Sequence, residues 1–329
     1  MKKTIENQAV DIESISRTYK TQPQKLRRAY KENLSDFHEF YKTHKDMFDN
    51  EAFVFPENIG DNMGIDETGL IDGELYTILY NKAGKGKKGS LAAIIKGTKS
   101  SVVTEAINRY VPFSSLVGIK EITLDLANSM DWIARQIAPN AIKTYDRFHV
   151  ERIVTEAMQQ VRINLRWEAM EKENQLRANK DIFRLKRYPN GDSEKQLLAR
   201  SRFFLYKIKN KWSKNQRERA KILFEEFPQL KKAYQLYMEF KECYYMDRLN
   251  AQHHLQRWIK RAKKSKIRTM KTAAKTIENN IGGLLNYLYN KESNAAVENF
   301  NRKLKTFLST VRGVNNKDIF FFRLFQIYA

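Results

Sequence analysis

Three carboxylates, set in contexts that bring such groups together, carry the most chemistry in this chain. Asp66 closes the short apolar run MGID, Asp125 closes the tail of IKEITLDL, and Glu298 lies within SNAAVENFNRKLK. Carboxylates converging from different elements can hold two divalent ions about 3.5–4 Å apart. One ion activates an attacking oxygen and the other stabilises the leaving oxygen of a phosphodiester. Mg²⁺ takes hard oxygen ligands and keeps several waters, so a few Asp and Glu side chains suffice. Singly these residues say little, because a strand-terminal Asp more often caps a turn or the next helix. Around Glu298, the residues Asn301, Arg302 and Lys305 fall at i+3, i+4 and i+7, on one helical face. An amide and two cations beside a carboxylate suit a phosphate held at the ions. Without the two Asp residues, ordinary Glu–Arg pairing on an exposed helix is the better explanation of that stripe. Asp146 and His149 lie one helical turn apart, and His149 could bond a carboxylate, touch a phosphate or carry a proton. Asp146, His149 and Asn301 are therefore accessory candidates.

The elements that must position these groups follow from periodicity. Between Asn58 and Thr144 the runs MGID, GELYTILY and SLAAIIKG read as a three-strand meander. SSVVTEAINRYV then reads as helix, IKEITLDL as strand, SMDWIARQIA as helix and AIKTYD as strand. This order describes an α/β ribonuclease-H-like core with a mixed five-stranded sheet. In such a sheet the first and fourth strand ends are neighbours, so Asp66 and Asp125 emerge at one edge. From Arg147 to about Ile281 strong helix formers dominate, and helix resumes through the glutamate segment after a polar break at 291–294. The expected organisation is a helical segment at 1–50 and the first part of the catalytic core at 58–150. A basic all-helical insertion at 151–281 follows, and then the core's final part at 282–329. Asp11 to Lys42, two or three short helices with a basic second half, fits a helix-turn-helix DNA reader or a small helical cap equally well.

Charge identifies the partner. The 329 residues contain 60 Lys+Arg against 38 Asp+Glu, a net charge of +22. Such an excess repels itself unless a polyanion neutralises it, and nucleic acid is the usual one. Its densest stretch, Arg248 to Ile277, contains no acid. Arg257, Lys260, Arg261, Lys263, Lys264, Lys266 and Arg268 within it, with Arg302 and Lys305, are the candidate contacts to DNA backbone. Trp258, in the same stretch, is expected to anchor a helical core, although a base could stack on it. GKGKKGS at 84–90 lacks the order of a phosphate-binding loop and reads as a basic hairpin loop. Cys243 is the sole cysteine, which rules out disulfides within the chain and cysteine zinc sites. No apolar run reaches the roughly 18 residues a membrane span needs, and no signal peptide opens the chain. A cytoplasmic, nucleoid-associated protein without membrane contact is expected.

Three segments, GIDE at 64–67, LDLANSM…YDRFHV at 124–150 and SNAAVENFNRKLK at 293–305, together resemble the DDE transposases of ISL-three-type insertion sequences. The tail RGVNNKDIFFFRLFQIY is similar to that family's closing segment. Asp146-Arg-Phe-His149 resembles the D-x-x-H signature of related transposases with helical insertions. The resemblance implies Asp66, Asp125 and Glu298 as a triad holding two Mg²⁺, with Mn²⁺ able to substitute. It further implies cleavage of double-stranded DNA at transposon ends and joining of the freed 3′-hydroxyl to target DNA. Paired ends imply a homo-oligomer on DNA. Relatives usually carry an N-terminal cysteine zinc module, which one cysteine cannot build. End recognition then rests on Asp11–Lys42 or on a separate small DNA-binding subunit. A non-catalytic DNA-binding derivative and a ribonuclease-H-like nuclease without strand transfer are the alternatives.

Overall fold

The computed structural model describes residues 1–180, 184–290, 294–311 and 316–329, with the backbone alone given at 290 and 294–298. Five short helices open the chain: α1 (Lys2–Asn7), α2 (Ile12–Thr18), α3 (Pro23–Ala29), α4 (Phe37–Thr43) and α5 (Lys45–Asp49). Strands rich in Ile, Leu, Tyr and Ala follow, as the pleat favours. They are β1 (Ala52–Val54), β2 (Asn62–Gly69), β3 (Leu75–Asn81), β4 (Leu91–Lys96), β5 (Glu121–Leu124) and β6 (Ile142–Tyr145). The helices α6 (Ser100–Tyr110), α7 (Phe113–Val117) and α8 (Asn128–Ile137) lie between β4 and β6 in sequence. Next come α9 (Arg147–Ala178), α10 (Glu194–Ser201), α11 (Lys214–Glu226), α12 (Pro228–Glu242), α13 (Arg248–Lys263), α14 (Arg268–Asn279) and α15 (Ile281–Asn290). The chain ends with α16 (Asn294–Thr310) and α17 (Lys317–Tyr328).

The sheet has the order β1-β4-β3-β2-β5-β6. Pairing is antiparallel from β1 through β4 and β3 to β2, and parallel from β2 through β5 to β6. The expected five strands therefore become six. The extra edge strand, AFV, is three residues long, too short for alternation to show in sequence. It pairs with β4, Ala52 opposite Ile95 and Val54 opposite Ala93, so its partner lies some way downstream in the chain. Such a contact is tertiary and leaves no local pattern.

Two compact units result, one formed by Met1–Asp146 with Asn290–Ala329 and the other by Arg147–Tyr289. In the first, α16 and α17 press Phe300, Leu304, Phe307, Phe321 and Phe325 onto Tyr76, Ile78, Tyr80 and Ile94 of the sheet. α6 packs on β1 and β4, and α8 on β5, bringing in Val103, Ile107, Met130 and Ile133, all buried. Burying each such side chain is worth about 1.5–3 kcal/mol. The N-terminal helices turn Ile5, Ile12, Ile15, Leu26, Tyr30 and Phe37 onto Phe322 of α17. Arg323, 1% exposed, donates from Nη2 to the Val10 carbonyl at 2.8 Å. Their packing is that of a cap on this unit's core.

The second unit is helical. α9 packs against α10, α12 and α14. Buried Arg162 is paired there, as burial demands: it donates to Gln159 Oε1 at 2.6 Å and to the Leu198 carbonyl at 3.1 Å. Trp258 is fully buried and donates to the Leu236 carbonyl at 2.7 Å. It is an anchor of this core, not an exposed stacking platform. Cys243 is buried, and burial pushes its thiol up to about 12, away from nucleophilic use. Among the described residues no helix is long and apolar enough to cross a membrane.

Candidate active site

Strand register places the carboxylates. β2 pairs with β5 so that Gly64 faces Thr123, and β5 pairs with β6 so that Thr123 faces Thr144. Two residues further along, on the same face of each strand, stand Asp66, Asp125 and Asp146. The amide of Asp146 donates to the Leu124 carbonyl at 3.0 Å, carrying the parallel ladder to its last rung. The three carboxylates thus occupy equivalent register positions, Asp66 within β2, not at its end as the sequence suggested, and Asp125 and Asp146 just past the C-terminal ends of β5 and β6. Asp146 is buried, while Asp66 and Asp125 are half-buried. α9 begins at Arg147, so His149 falls in its first turn. Ligand atoms of Asp125 and Asp146 lie within 4.8 Å of one another.

Asp66 is held from two directions. Its Oδ1 accepts from the Glu67 amide at 2.8 Å, and its Oδ2 accepts from Asn301 Nδ2 of α16. Asn301 therefore meets the first carboxylate across 235 residues of chain. The Glu67 carboxyl is pushed above its usual range, first by burial and then by the charge of Asp125. That field marks a site where added positive charge would be stabilised. Glu298 lies on the backbone of α16 one turn before Asn301, and its side chain lies outside the described residues.

One row behind the carboxylates, the register aligns Tyr80, Gly64, Thr123 and Thr144 on the same face. Gly64 is required there: a Cβ on it would meet Tyr80 Cε1 at 2.1 Å and the Tyr80 hydroxyl at 2.5 Å. The Tyr80 ring also stacks on Phe300 at 5.6 Å. Behind Thr123, the Lys82 ammonium donates to Glu121 Oε1 at 3.2 Å and to the Thr123 hydroxyl. Burial draws the Lys82 pKa down, and Glu121 opposes that. Gly64→Ala is expected to cost about 1–3 kcal/mol by overpacking, read as a lowered melting temperature. An unchanged melting temperature would show that the Tyr80 ring is not held against β2.

The family model of the ISL-three-type DDE transposases, described as a transposase, matches residues 63–324. The chain belongs to that transposase family. No curated protein and no solved structure matches it. The match begins inside β2, just before Asp66, and ends within α17, so it takes in all the carboxylates described above. The transposase also has a second set of neighbours that spacing alone did not reveal. Glu67, Tyr80, Lys82 and Thr144 enter the site's surroundings through strand pairing. The sequence signal nearest to them is the glycine in MGID opposite an aromatic strand.

The cations divide into two surfaces. In α13 and α14 and the turn between them, the side chains of Arg257, Lys260, Arg261, Lys263, Lys264, Lys266 and Arg268 are all exposed. Although Arg248–Ile277 contains no acid, Arg261 pairs with Glu239 of α12 at 2.9 Å, and Lys263 pairs with Glu278 of α14. The other five have no ion-pair partner among the described residues. In the first unit, Arg302 and Lys303 of α16 line a cleft of about 610 Å³ with Lys87 and Lys88 of the β3–β4 loop, and no acid among the described residues lines it. Lys303 donates to the Gly86 carbonyl at 2.7 Å, tying that loop to the helix. Gly86 has φ +68°, a backbone that a side chain would strain. Lys305, one turn along α16 from Asn301, is exposed.

Proposed function

We propose that this transposase cleaves double-stranded DNA at transposon ends and joins the freed 3′-hydroxyl to target DNA, with Asp66, Asp125 and Glu298 as its catalytic triad. The observation that carries the reading is the matching register of Asp66 within β2 with Asp125 and Asp146 just past the ends of β5 and β6, together with Asn301 of α16 bonded to Asp66. A meander of three antiparallel strands followed by two parallel ones supports a ribonuclease-H-like core, with β1 added at its edge. Residues 58–150 and 282–329 are read as the two parts of that core, and 151–281 as a basic insertion between them.

The donors fit hard divalent cations: carboxylate oxygens dominate, and the charged form of the half-buried Glu67 carboxyl is disfavoured first by burial and then by Asp125. Asp66, Asp125 and Glu298 would hold two Mg²⁺, or Mn²⁺ in their place. Those ions supply activation of the attacking oxygen and stabilisation of the leaving oxygen. The protein's own groups do the rest. Asn301 fixes the Asp66 carboxylate, Asp146 supports Asp125, and His149 is the accessory group able to pass a proton. Arg302 and Lys305, with Arg257, Lys260, Lys264, Lys266 and Arg268, which lack ion-pair partners among the described residues, neutralise phosphates without reading bases. Because the same site handles a water and then a 3′-hydroxyl, no high-energy cofactor is needed. Two DNA ends must be brought together, so a homo-oligomer on DNA is expected, and a separate small subunit would aid end recognition.

The test uses duplexes carrying the inverted repeats that bracket the gene, a supercoiled plasmid target and Mg²⁺. Joined end–plasmid products are expected on a sequencing gel. Cleavage without joining would reduce the protein to a nuclease, and neither product would overturn the enzymatic reading.

A further inference from the structure

The Tyr80 and Thr144 hydroxyls are both buried and have no hydrogen-bond partner among the described residues. An unsatisfied buried hydroxyl costs about 1–3 kcal/mol, so a native fold keeps one where something else completes it. Both sit on the face that bears the carboxylates, one row behind Asp66, Asp125 and Asp146. Tyr80 is 3% exposed, and its hydroxyl reaches across β2 through the space that Gly64 leaves. Phe300 stacks on its ring and Gly64 floors it, so the hydroxyl cannot swing out to solvent without breaking that packing. The electrostatic neighbours of the phenol include Asp66 and Asp146, and burial and both charges oppose its ionisation. It stays a neutral donor beside a row of acceptors.

We propose that Tyr80 is a positioning residue of the carboxylate site, with Thr144 in support, whose hydroxyl holds ordered water against Asp66 and Asp146 and so fixes their orientation for cation binding. Buried water completing two to four polar partners is a normal part of protein interiors. Groups behind metal-ligating carboxylates set ligand orientation, and their loss commonly costs 10–100-fold in metal affinity. The inference rests on the reading of the carboxylates as a cation site.

The experiment compares the full chain with Tyr80→Phe, Thr144→Val and Asp125→Asn, using Mn²⁺ alone, titrated by electron paramagnetic resonance and calorimetry. Melting is followed with and without the ion. Tyr80→Phe keeps the ring on Gly64 and Phe300, so the metal-free protein is expected to melt at the same temperature or slightly higher. Its Mn²⁺ affinity is expected to fall about tenfold, with Thr144→Val falling less. If Asp125→Asn weakens Mn²⁺ binding while Tyr80→Phe stays within twofold of the parent, the positioning role is wrong and the carboxylate site stands. A lowered metal-free melting temperature with unchanged affinity would likewise make the hydroxyl merely structural. If Asp125→Asn also leaves Mn²⁺ binding untouched, the cation site fails, and this inference fails with it.

Discussion

Asp66→Asn and Asp125→Asn are each expected to lower DNA end cleavage by about a thousandfold or more, some 4 kcal/mol of transition-state stabilisation. The change is nearly isosteric and removes one negative charge from a site whose function is to gather cations. In Asp66→Asn the new side chain keeps an oxygen for the Glu67 amide, so β2 retains that bond. At position 125, loss of the charge relieves the strain on Glu67, whose carboxyl should fall back toward its ordinary range. Melting temperature should therefore hold or rise slightly. DNA binding should also hold or tighten, because the carboxylates repel phosphate. The two variants are read together by cleavage rate, melting and DNA affinity. Cleavage within tenfold of the parent for both would remove these residues from the chemistry.

Replacing Arg257, Lys260, Lys264, Lys266 and Arg268 together by Gln is expected to flatten the salt dependence of DNA binding. Each lost phosphate contact lowers the slope of log K against log salt by about 0.9. Five contacts would then remove about 4 to 5 from the slope, with several orders of magnitude in affinity near physiological salt. These side chains are exposed and lack ion-pair partners among the described residues, so the fold should survive. Arg261 and Lys263 offer the internal comparison: Glu239 and Glu278 already neutralise them, so the paired variant should change the slope less. Fluorescence anisotropy across a salt series measures both. A slope that does not change on removing the five would place DNA elsewhere, and the Lys87, Lys88 and Arg302 cleft would be the next surface to alter.

Much of the first unit was legible because its signals are local. MGID, GELYTILY, SLAAIIKG, IKEITLDL and AIKTYD each became a strand, since alternation and β-rich composition act over a few residues. The expectation that Asp66 and Asp125 come near one another rested on their places in and just after two of those runs, and the β2–β5 pairing puts them at matching register positions. The helical run from Arg147 was equally readable.

What depended on contacts between distant residues was not readable. The AFV edge strand owes its existence to β4, and Tyr80 reaches the site only because strand pairing sets it opposite Gly64. The spacing of Asn301 from Glu298 suggested a shared helical face. That Asn301 bonds Asp66 depended on how α16 lies across the sheet. The acid-free stretch looked uncompensated because its compensating acids, Glu239 and Glu278, lie outside it in sequence and beside it in space. Periodicity specifies which face of an element is apolar. Register and helix placement, set by packing the whole core, decide which polar groups meet.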